Sequence, residues 1–169
     1  MAMETPKVHR RSARRRALQF VFSMNFRTFE DKKQVQRAFF ELPVDEEDWS
    51  DETSAAVSDP APLTLEDREY AAKLATGVYL FREEIDQVIQ RFSKHWRIAR
   101  IAKAELSILR LSVYEMLHEP DIPLRVSINE AVELSKAFAD DQSFPFVNGI
   151  LDAVAKAVSH GEFGLHKQF

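Results

Sequence analysis

The stretch KAELSILRLSVYEMLH, residues 103 to 118, is the most strongly apolar helical segment of the chain. Its apolar residues recur at the spacing of one helix face, and two more lie on the flank of that face. The face holds Leu106, Leu109, Val113, Met116 and Leu117, and the flank holds Ile108 and Leu111. Because apolar side chains surround most of this helix, little of it can face water. We therefore expect a central helix that is packed among others.

Amphipathic segments with helical periodicity continue on both sides of this stretch. They predict further helices that begin near Ser12, at Asp31, at Thr64, near Ile85 after a break at Arg82 to Glu84, between Pro123 and Ser127, and at Ser143 as N-cap. A short turn is expected around Ile98 and Ile101, and no pair of strands is apparent. The sequence therefore predicts an all-α fold, a single-domain bundle of about seven helices.

Local signals refine the helix starts. Thr64 followed by Asp67 and Ser127 followed by Glu130 both have the spacing of a capping box, in which two side chains satisfy the free N–H groups of a helix start. Gly149 lies inside the last helix, where glycine often marks the close approach of another backbone. We expect two capped helices and one tight packing contact at these positions.

The composition limits the kinds of function that the chain can have. Its 169 residues are 45% hydrophobic and include no cysteine, which excludes disulfides, thiolate metal sites and a cysteine nucleophile. No run approaches the ~20 apolar residues that a membrane span needs, and the basic N-terminus lacks the apolar stretch of a signal peptide. We expect a cytoplasmic protein.

Charge and composition divide the chain into regions. Residues 1–9 lack periodicity and are predicted to be a disordered basic arm, residues 10–160 the helical domain, and residues 161–169 a C-terminal tail. Residues 43–62 are acidic and rich in serine and proline, so they are expected to form a solvated loop or a disordered insertion.

Five arginines lie within RRSARRRALQF, residues 10 to 20, although the chain has a formal net charge of -4. On a helix, four of them share one face and Arg16 points elsewhere. The four are Arg10, Arg11, Arg14 and Arg15. Cations at a helix N-terminus oppose the helix dipole, so stability does not explain this strip. Arginine pairs well with phosphate, and the strip therefore predicts a nucleic-acid contact.

Two other interpretations of the strip remain open. It could be a solubilising tail, or its arginines could pair with the carboxylates of residues 41–52. A preference for unpaired strands also needs aromatic side chains that stack on bases. Trp96, Phe144 and Phe146 are the candidates, and Phe146 is the best because the first turn of the last helix offers free N–H groups. Phe146 could instead be a core residue, and Trp96 is expected to be a packed anchor between helices.

Glu115 and His118 have the E-x-x-H spacing that, when it occurs twice with further glutamates, builds a di-iron site. Here it occurs once, and His118 near a helix C-terminus is explained by the helix dipole. The sequence contains no glycine-rich phosphate loop and no nucleophile elbow. We therefore predict no metal, no cofactor, no small-molecule substrate and no catalytic activity.

Three segments together resemble one known family. RRSARRRALQFVFSMN resembles the first helix of the NusB transcription antitermination factors, and KAELSILRLSVYEML resembles their central helix. RVSINEAVELSKAF followed by SFPFVNGILD is similar to the family motifs that contain I-N-E-A and F-V-N-G. The segments follow in the order and spacing of the family, and the resemblance extends from about Arg10 to Ala157 without the acidic insertion.

This resemblance implies a seven-helix RNA-binding protein without catalytic activity. Such a protein pairs with the small-subunit ribosomal protein also called NusE and, with it, holds the single-stranded boxA element of nascent RNA. RNA polymerase, in an antitermination complex, then continues through terminators, notably in ribosomal RNA operons. No membrane takes part in this function.

The resemblance also implies which residues bind. Those that match RNA-contact positions are Arg10, Arg11 and Arg14 on the first helix and Phe146 at the start of the last; Arg15 joins them from its place on the strip. Phe22 and Glu105 match positions that contact the protein partner. Two alternatives are a helical protein interaction module that binds no RNA, like the NusB-like domains of RNA methyltransferases, and a metal enzyme built on the E-x-x-H helix.

Overall fold

A computed structural model describes residues 10–43 and 63–169, and every regular element within these ranges is helical. The helices are α1 Arg10–Ser23, α2 Lys32–Glu41, α3 Leu65–Leu80, α4 Arg82–Ser93, α5 Lys103–His118, α6 Leu124–Phe138 and α7 Ser143–Ser159, with one 3₁₀ turn at Ile98–Arg100. The predicted all-α bundle of about seven helices is confirmed. The predicted arm at 1–9 lies outside the described residues, as does the acidic insertion except for Pro43.

Helix α5 is the centre of the bundle, as its sequence predicts. Every residue from Leu106 to Leu117 is buried, and α1, α3, α4, α6 and α7 all pack against this helix. Each fully buried leucine, isoleucine or methionine stabilises the fold by roughly 1.5–3 kcal/mol relative to an exposed one. Two charged residues, Arg110 and Glu115, are enclosed in the same stretch and therefore need partners inside the protein.

One of the two predicted capping boxes is correct. The Thr64 hydroxyl accepts from the Asp67 N–H at 3.1 Å, and the Asp67 carboxylate accepts from the Thr64 N–H at 2.9 Å. The box predicted at Ser127 is wrong, because α6 begins three residues earlier at Leu124. The Ser127 hydroxyl instead donates to the buried carboxylate of Glu115 at 2.8 Å, so a tertiary contact replaces the predicted local one.

The two glycines within described helices have opposite surroundings. The expectation that another backbone approaches Gly149 is wrong, since Gly149 is exposed and a Cβ atom there would meet nothing within 4 Å. At Gly77 in α3, a Cβ atom would overlap the ring of Tyr114 from α5. The close contact between helices that glycine permits is therefore made by α3 and α5.

The C-terminal residues return to the end of α5. Phe163 and Leu165 are partly buried against the core, and the Lys167 ammonium donates to the carbonyl oxygens of Glu115 and Glu119 at 3.2 and 2.8 Å. These carbonyls also accept the N–H groups of Glu119 and Ile122, and a cation here interacts favourably with the negative end of the helix dipole. In the described part of the chain, no helix combines the length and the apolar character that crossing a membrane requires.

Candidate nucleic-acid interface

The predicted basic strip does not form one continuous surface, because Arg14 in its middle turns into the core. Arg14 is 4% exposed, and its Nε and Nη2 atoms donate to the two carboxylate oxygens of Glu115 at 2.7 and 3.1 Å. Glu115 is 2% exposed and also accepts from Ser127. Glu130 lies 3.8 Å from the Arg14 Nη1 atom. We call Arg14, Glu115, Ser127 and Glu130 the Arg14 network.

The buried position of Arg14 differs from the exposed position that a direct contact with RNA requires. Burial lowers the pKa of the Arg14 guanidinium, but its hydrogen bonds with Glu115 and the charge of that carboxylate outweigh burial, and the pKa is raised overall. Both guanidinium edges that suit a phosphate already face carboxylates. In this structure, Arg14 fixes α1 against α5 and α6, and it is not available to a strand.

Arg11 remains at the surface next to this network. Its Nε and Nη2 atoms donate to the Glu130 carboxylate at 3.2 and 3.0 Å, while 57% of the Arg11 side chain is exposed. An exposed pair of this kind is worth about 0–1 kcal/mol. A phosphate can therefore compete with Glu130 for the Arg11 guanidinium at little cost in stability.

Within the described residues, Arg10 and Arg15 each lie over an aromatic ring. The Arg10 guanidinium carbon lies 5.5 Å from the centre of the Tyr70 ring in α3, and that of Arg15 lies 5.8 Å from the centre of the Phe138 ring in α6. Neither forms an ion pair with a carboxylate in the residues that the structure describes. Together with Arg11, they leave three reachable cations within the first six residues of α1.

Arg16 points away from these residues, as predicted. It is buried, and its guanidinium donates to the carbonyl oxygens of Leu42 and Pro43 at 2.7 and 3.0 Å. These carbonyls follow the end of α2 and have no partner within that helix. Arg16 therefore joins α1 to α2 and belongs to the fold.

Phe146 forms an aromatic pair with Trp96. The ring centres are 6.1 Å apart and the planes meet at 72°. Phe146 is partly buried, whereas Trp96 is 52% exposed and Phe144 is 37% exposed. The expectation that Trp96 is a packed anchor is wrong, because the turn before α5 presents its ring to solvent. The first turns of α7 thus carry an accessible aromatic surface.

The C-terminal end of α1 carries a second exposed aromatic pair. Phe22 is 40% and Phe26 is 64% exposed, and their ring centres are 5.4 Å apart. The Lys103 ammonium lies 5.4 Å from the centre of the Phe26 ring. The family resemblance points to Phe22 but not to Phe26, although the spacing of four residues places both on one side of a helix end.

Glu105 lies at the same end of the bundle, in the first turn of α5. It is partly buried and accepts a hydrogen bond from the Ser143 hydroxyl, where the sequence predicted Ser143 as the N-cap of α7. Ser143 is instead the first residue of that helix. Glu105 therefore connects the start of α5 to the start of α7 and still exposes part of its carboxylate side chain.

A third buried arginine, which the sequence pattern does not single out, supports this end. Arg110 is 3% exposed, and its Nε and Nη2 atoms each donate to an Asp86 oxygen at 2.8 Å. Its Nη1 atom donates to the Asn25 Oδ1 atom at 3.1 Å. We call Arg110, Asp86 and Asn25 the Arg110 network. It joins α5 to α4 and to the loop that carries Phe26.

The E-x-x-H pair has structural contacts of its own. Glu115 is engaged by Arg14, and the His118 ring stacks on Phe81 and Tyr114 with ring centres 4.0 and 5.1 Å apart. Within residues 10–43 and 63–169, no group of three or more histidine, aspartate or glutamate side chains is arranged to hold a metal ion. Glu115 and His118 thus face different neighbours, and the pair does not converge on one point.

Comparison with known proteins gives a consistent result. The model of the NusB family matches residues 11–156. A relative from Oleidesulfovibrio alaskensis, named transcription antitermination protein NusB, is 42% identical over 95% of this chain and 96% of its own length. The fold is similar to that of NusB from T. maritima, with a TM-score of 0.69 and 32% identity over 91% of this chain and 93% of the other.

A further structural neighbour comes from a crystal structure described as a plectonemic RNA supercoil. Its TM-score is 0.65, and it is 28% identical over 88% of this chain and 94% of its own. The names of the relatives describe a regulatory activity and no catalytic one. This agrees with the prediction that the chain is not an enzyme.

Proposed function

Because this chain belongs to the NusB family, we propose that it binds boxA-type single-stranded RNA in nascent ribosomal RNA transcripts and pairs with the ribosomal protein NusE. It would act as a non-catalytic transcription antitermination factor, the function named for its relatives. The observation that carries the proposal is that three arginines on the first turns of α1 are accessible. Arg14, between them in the sequence, is buried and fixes this helix.

In this proposal, Arg10, Arg11 and Arg15 contact phosphates, and Arg14 keeps their helix in place. The three guanidinium groups are within reach of solvent and are held by weak partners, so binding a phosphate disrupts little of the fold. Each phosphate contact releases condensed counterions, and removing one flattens the plot of log affinity against log salt concentration by about 0.7 for a single strand.

Phe146 and Trp96 supply the contacts to bases. Stacking of a base on an aromatic ring contributes about 1–3 kcal/mol and tolerates different sequences. Trp96 offers the larger exposed ring, and Phe146 packs against it in an edge-on arrangement with the ring centres 6.1 Å apart. Arg15 lies over the last residue of α6, and α7 begins after a short connection, so one strand would pass from the arginines to this aromatic pair.

The protein partner would bind the end of the bundle that holds Phe22, Phe26 and Glu105. Exposed aromatic rings beside a lysine and a partly buried carboxylate are typical of an interface, where aromatic anchors carry most of the binding energy. A basic ribosomal protein would find a complementary charge in Glu105. Phe26, with the larger exposed fraction, extends this surface beyond the two residues named from the sequence.

The test is a fluorescence anisotropy titration with labelled boxA-type RNA and a scrambled strand, each with and without purified NusE. The proposal expects tighter binding of the boxA-type strand and a further gain with NusE. In a variant with Arg10, Arg11 and Arg15 changed to glutamine, affinity should fall, whereas Arg37→Gln, an exposed arginine of α2, serves as the control. Binding of NusE without any RNA affinity would favour the interaction module instead.

A further inference from the structure

A small cleft opens beside Arg10, on the side of α1 that faces α3. Its volume is about 290 Å³, and it is lined by Arg10, Glu66, Glu69, Tyr70 and Lys73. The cleft adjoins the proposed phosphate contacts but has both signs of charge on its walls. Its four α3 residues have no role in the phosphate contacts or in the aromatic pair of the proposed function.

Tyr70 provides the flat wall of the cleft. Its ring is partly buried against the core, and its hydroxyl oxygen is enclosed without a hydrogen-bond partner in the described residues. Burial and the charge of Glu115 raise the pKa of Tyr70 to about 12, so the hydroxyl stays protonated and can donate. The exposed guanidinium of Arg10 covers the ring at 5.5 Å and is held by no carboxylate among the described residues.

The other walls have carboxylates that are free to accept hydrogen bonds. Glu66 and Glu69 are exposed, lie three residues apart on α3, and form no hydrogen bond or ion pair in the described part of the chain. Lys73 is engaged, since its ammonium lies 2.9 Å from Glu119. Two unpaired carboxylates repel a phosphate, but they accept N–H groups from the edge of a base. The cleft therefore suits a base better than the RNA backbone.

We propose that this cleft binds one unpaired nucleobase of the RNA strand and prefers guanine. Tyr70 stacks on the base, and Glu66 or Glu69 accepts its Watson–Crick N–H groups. Guanine presents two adjacent donors on that edge, N1–H and the N2 amino group, which match the two oxygens of a carboxylate. When the strand draws Arg10 to a phosphate, the guanidinium leaves the Tyr70 ring and opens the face on which the base stacks. This inference rests on the proposed function and adds a base preference to it.

The experiment measures the affinity of short oligouridylates in which a single guanine is scanned along the strand, compared with plain oligouridylate. At one position, guanine should tighten binding by about tenfold, the lower range for a two-bond base contact. Inosine at that position, which lacks the N2 amino group, should lose part of the gain. Changing Glu66 and Glu69 together to glutamine should abolish the guanine preference without weakening the binding of plain oligouridylate.

Matched variants separate the cleft from general effects. Glu83→Gln, an exposed glutamate of α4, should leave the preference unchanged. Tyr70→Phe keeps the stacking ring and should retain most of the guanine preference, whereas Tyr70→Leu should lose it. Because Tyr70→Leu could impair folding, the surface glutamine variants decide the outcome if that protein is unfolded.

The two proposals fail in distinguishable ways. If oligouridylates bind with a normal salt dependence but guanine has no effect at any position, the base cleft is wrong and the RNA-binding function stands. If the preference survives the double glutamine variant, another site reads guanine and the cleft is also wrong. If no strand binds at any salt concentration, the proposed function itself is overturned.

Discussion

Two of the buried arginines, Arg14 in α1 and Arg110 in α5, form similar hydrogen bonds with different partners. Each donates through Nε and Nη2 to both oxygens of one carboxylate. The Glu115 side chain beside Arg14 is 2% exposed, whereas the Asp86 side chain beside Arg110 is 24% exposed. If its arginine partner is removed, the Asp86 carboxylate can therefore be hydrated again, whereas the Glu115 carboxylate cannot.

This difference predicts distinct roles for the two networks. The Arg14 network fixes the helix that carries the proposed phosphate contacts, and its central ion pair is enclosed. The Arg110 network fixes Asn25 and the loop with Phe26, and it reaches the surface. We expect the loss of one partner in the first network to destabilise the fold strongly, and we expect changes in the second to adjust the proposed partner surface. Variants of the two networks should therefore differ in stability and in binding.

The largest effect is expected for Glu115→Leu. This change leaves the Arg14 guanidinium buried without its main counter-ion, and breaking a buried ion pair by removing one partner costs about 3–5 kcal/mol. Urea unfolding should show this loss of stability. The double variant Arg14→Met with Glu115→Leu should recover much of it, because no unpaired charge remains. A loss below about 1 kcal/mol for Glu115→Leu would contradict the enclosed network.

Arg110→Met is expected to destabilise the protein less than Glu115→Leu does. Asp86 can regain water when its partner is removed, so we expect about 1.5–3 kcal/mol, the usual contribution of a hydrogen bond to a charged group. The same variant should weaken NusE binding and leave the salt dependence of RNA binding unchanged. If Glu115→Leu and Arg110→Met lower the unfolding free energy by the same amount, the expected difference between the two networks is wrong.

High pH should lower the free energy of unfolding through deprotonation of Tyr70, which lies near the Arg14 network. The pKa of Tyr70 is raised to about 12 by burial and by the charge of Glu115, above the value near 10 of an unfolded chain. Its contribution to stability is therefore complete below about pH 10 and is lost as the pH rises towards 12. Tyr70→Phe should make the decline in unfolding free energy across this window shallower. A decline of equal slope in both proteins would show that Tyr70 does not titrate in the folded state as described.

The smallest stability effects belong to the exposed arginines. Arg11→Gln removes only a surface pair with Glu130 and should change the unfolding free energy by less than about 1 kcal/mol. RNA affinity should nevertheless fall, since the guanidinium is proposed to exchange Glu130 for a phosphate. If Arg11→Gln is as destabilising as Arg110→Met, Arg11 belongs to the fold and its assignment to RNA is wrong.

The sequence was sufficient for features that depend on local pattern. The bounds of α5 and the capping box at Thr64 follow from periodicity and from contacts between residues close in the chain. The capping box predicted at Ser127 is wrong because the partner of Ser127, Glu115, belongs to a different helix. Gly149 was misassigned for a related reason, since a helical pattern does not reveal which neighbour a glycine faces.

The candidate site could be predicted only in part for the same reason. The first helix contains several arginines that are alike in sequence, and their division into buried and exposed groups depends on how α1 packs against α3, α5 and α6. The sequence pattern does not single out Arg110 or Phe26, because their significance arises from partners that are distant in the chain. The family resemblance points to α1, and the structure buries Arg14 while its neighbours Arg10 and Arg11 stay exposed.

The central claim is that Arg10, Arg11 and Arg15 contact the strand while Arg14 holds their helix. The most direct test is the slope of log affinity against log salt for single-stranded RNA, measured on folded variants. Changing Arg10, Arg11 and Arg15 to glutamine should flatten the slope by about 0.7 for each phosphate that the protein no longer binds. The double variant Arg14→Met with Glu115→Leu should keep the original slope. A flatter slope in that double variant, with no change in the triple variant, would contradict the account.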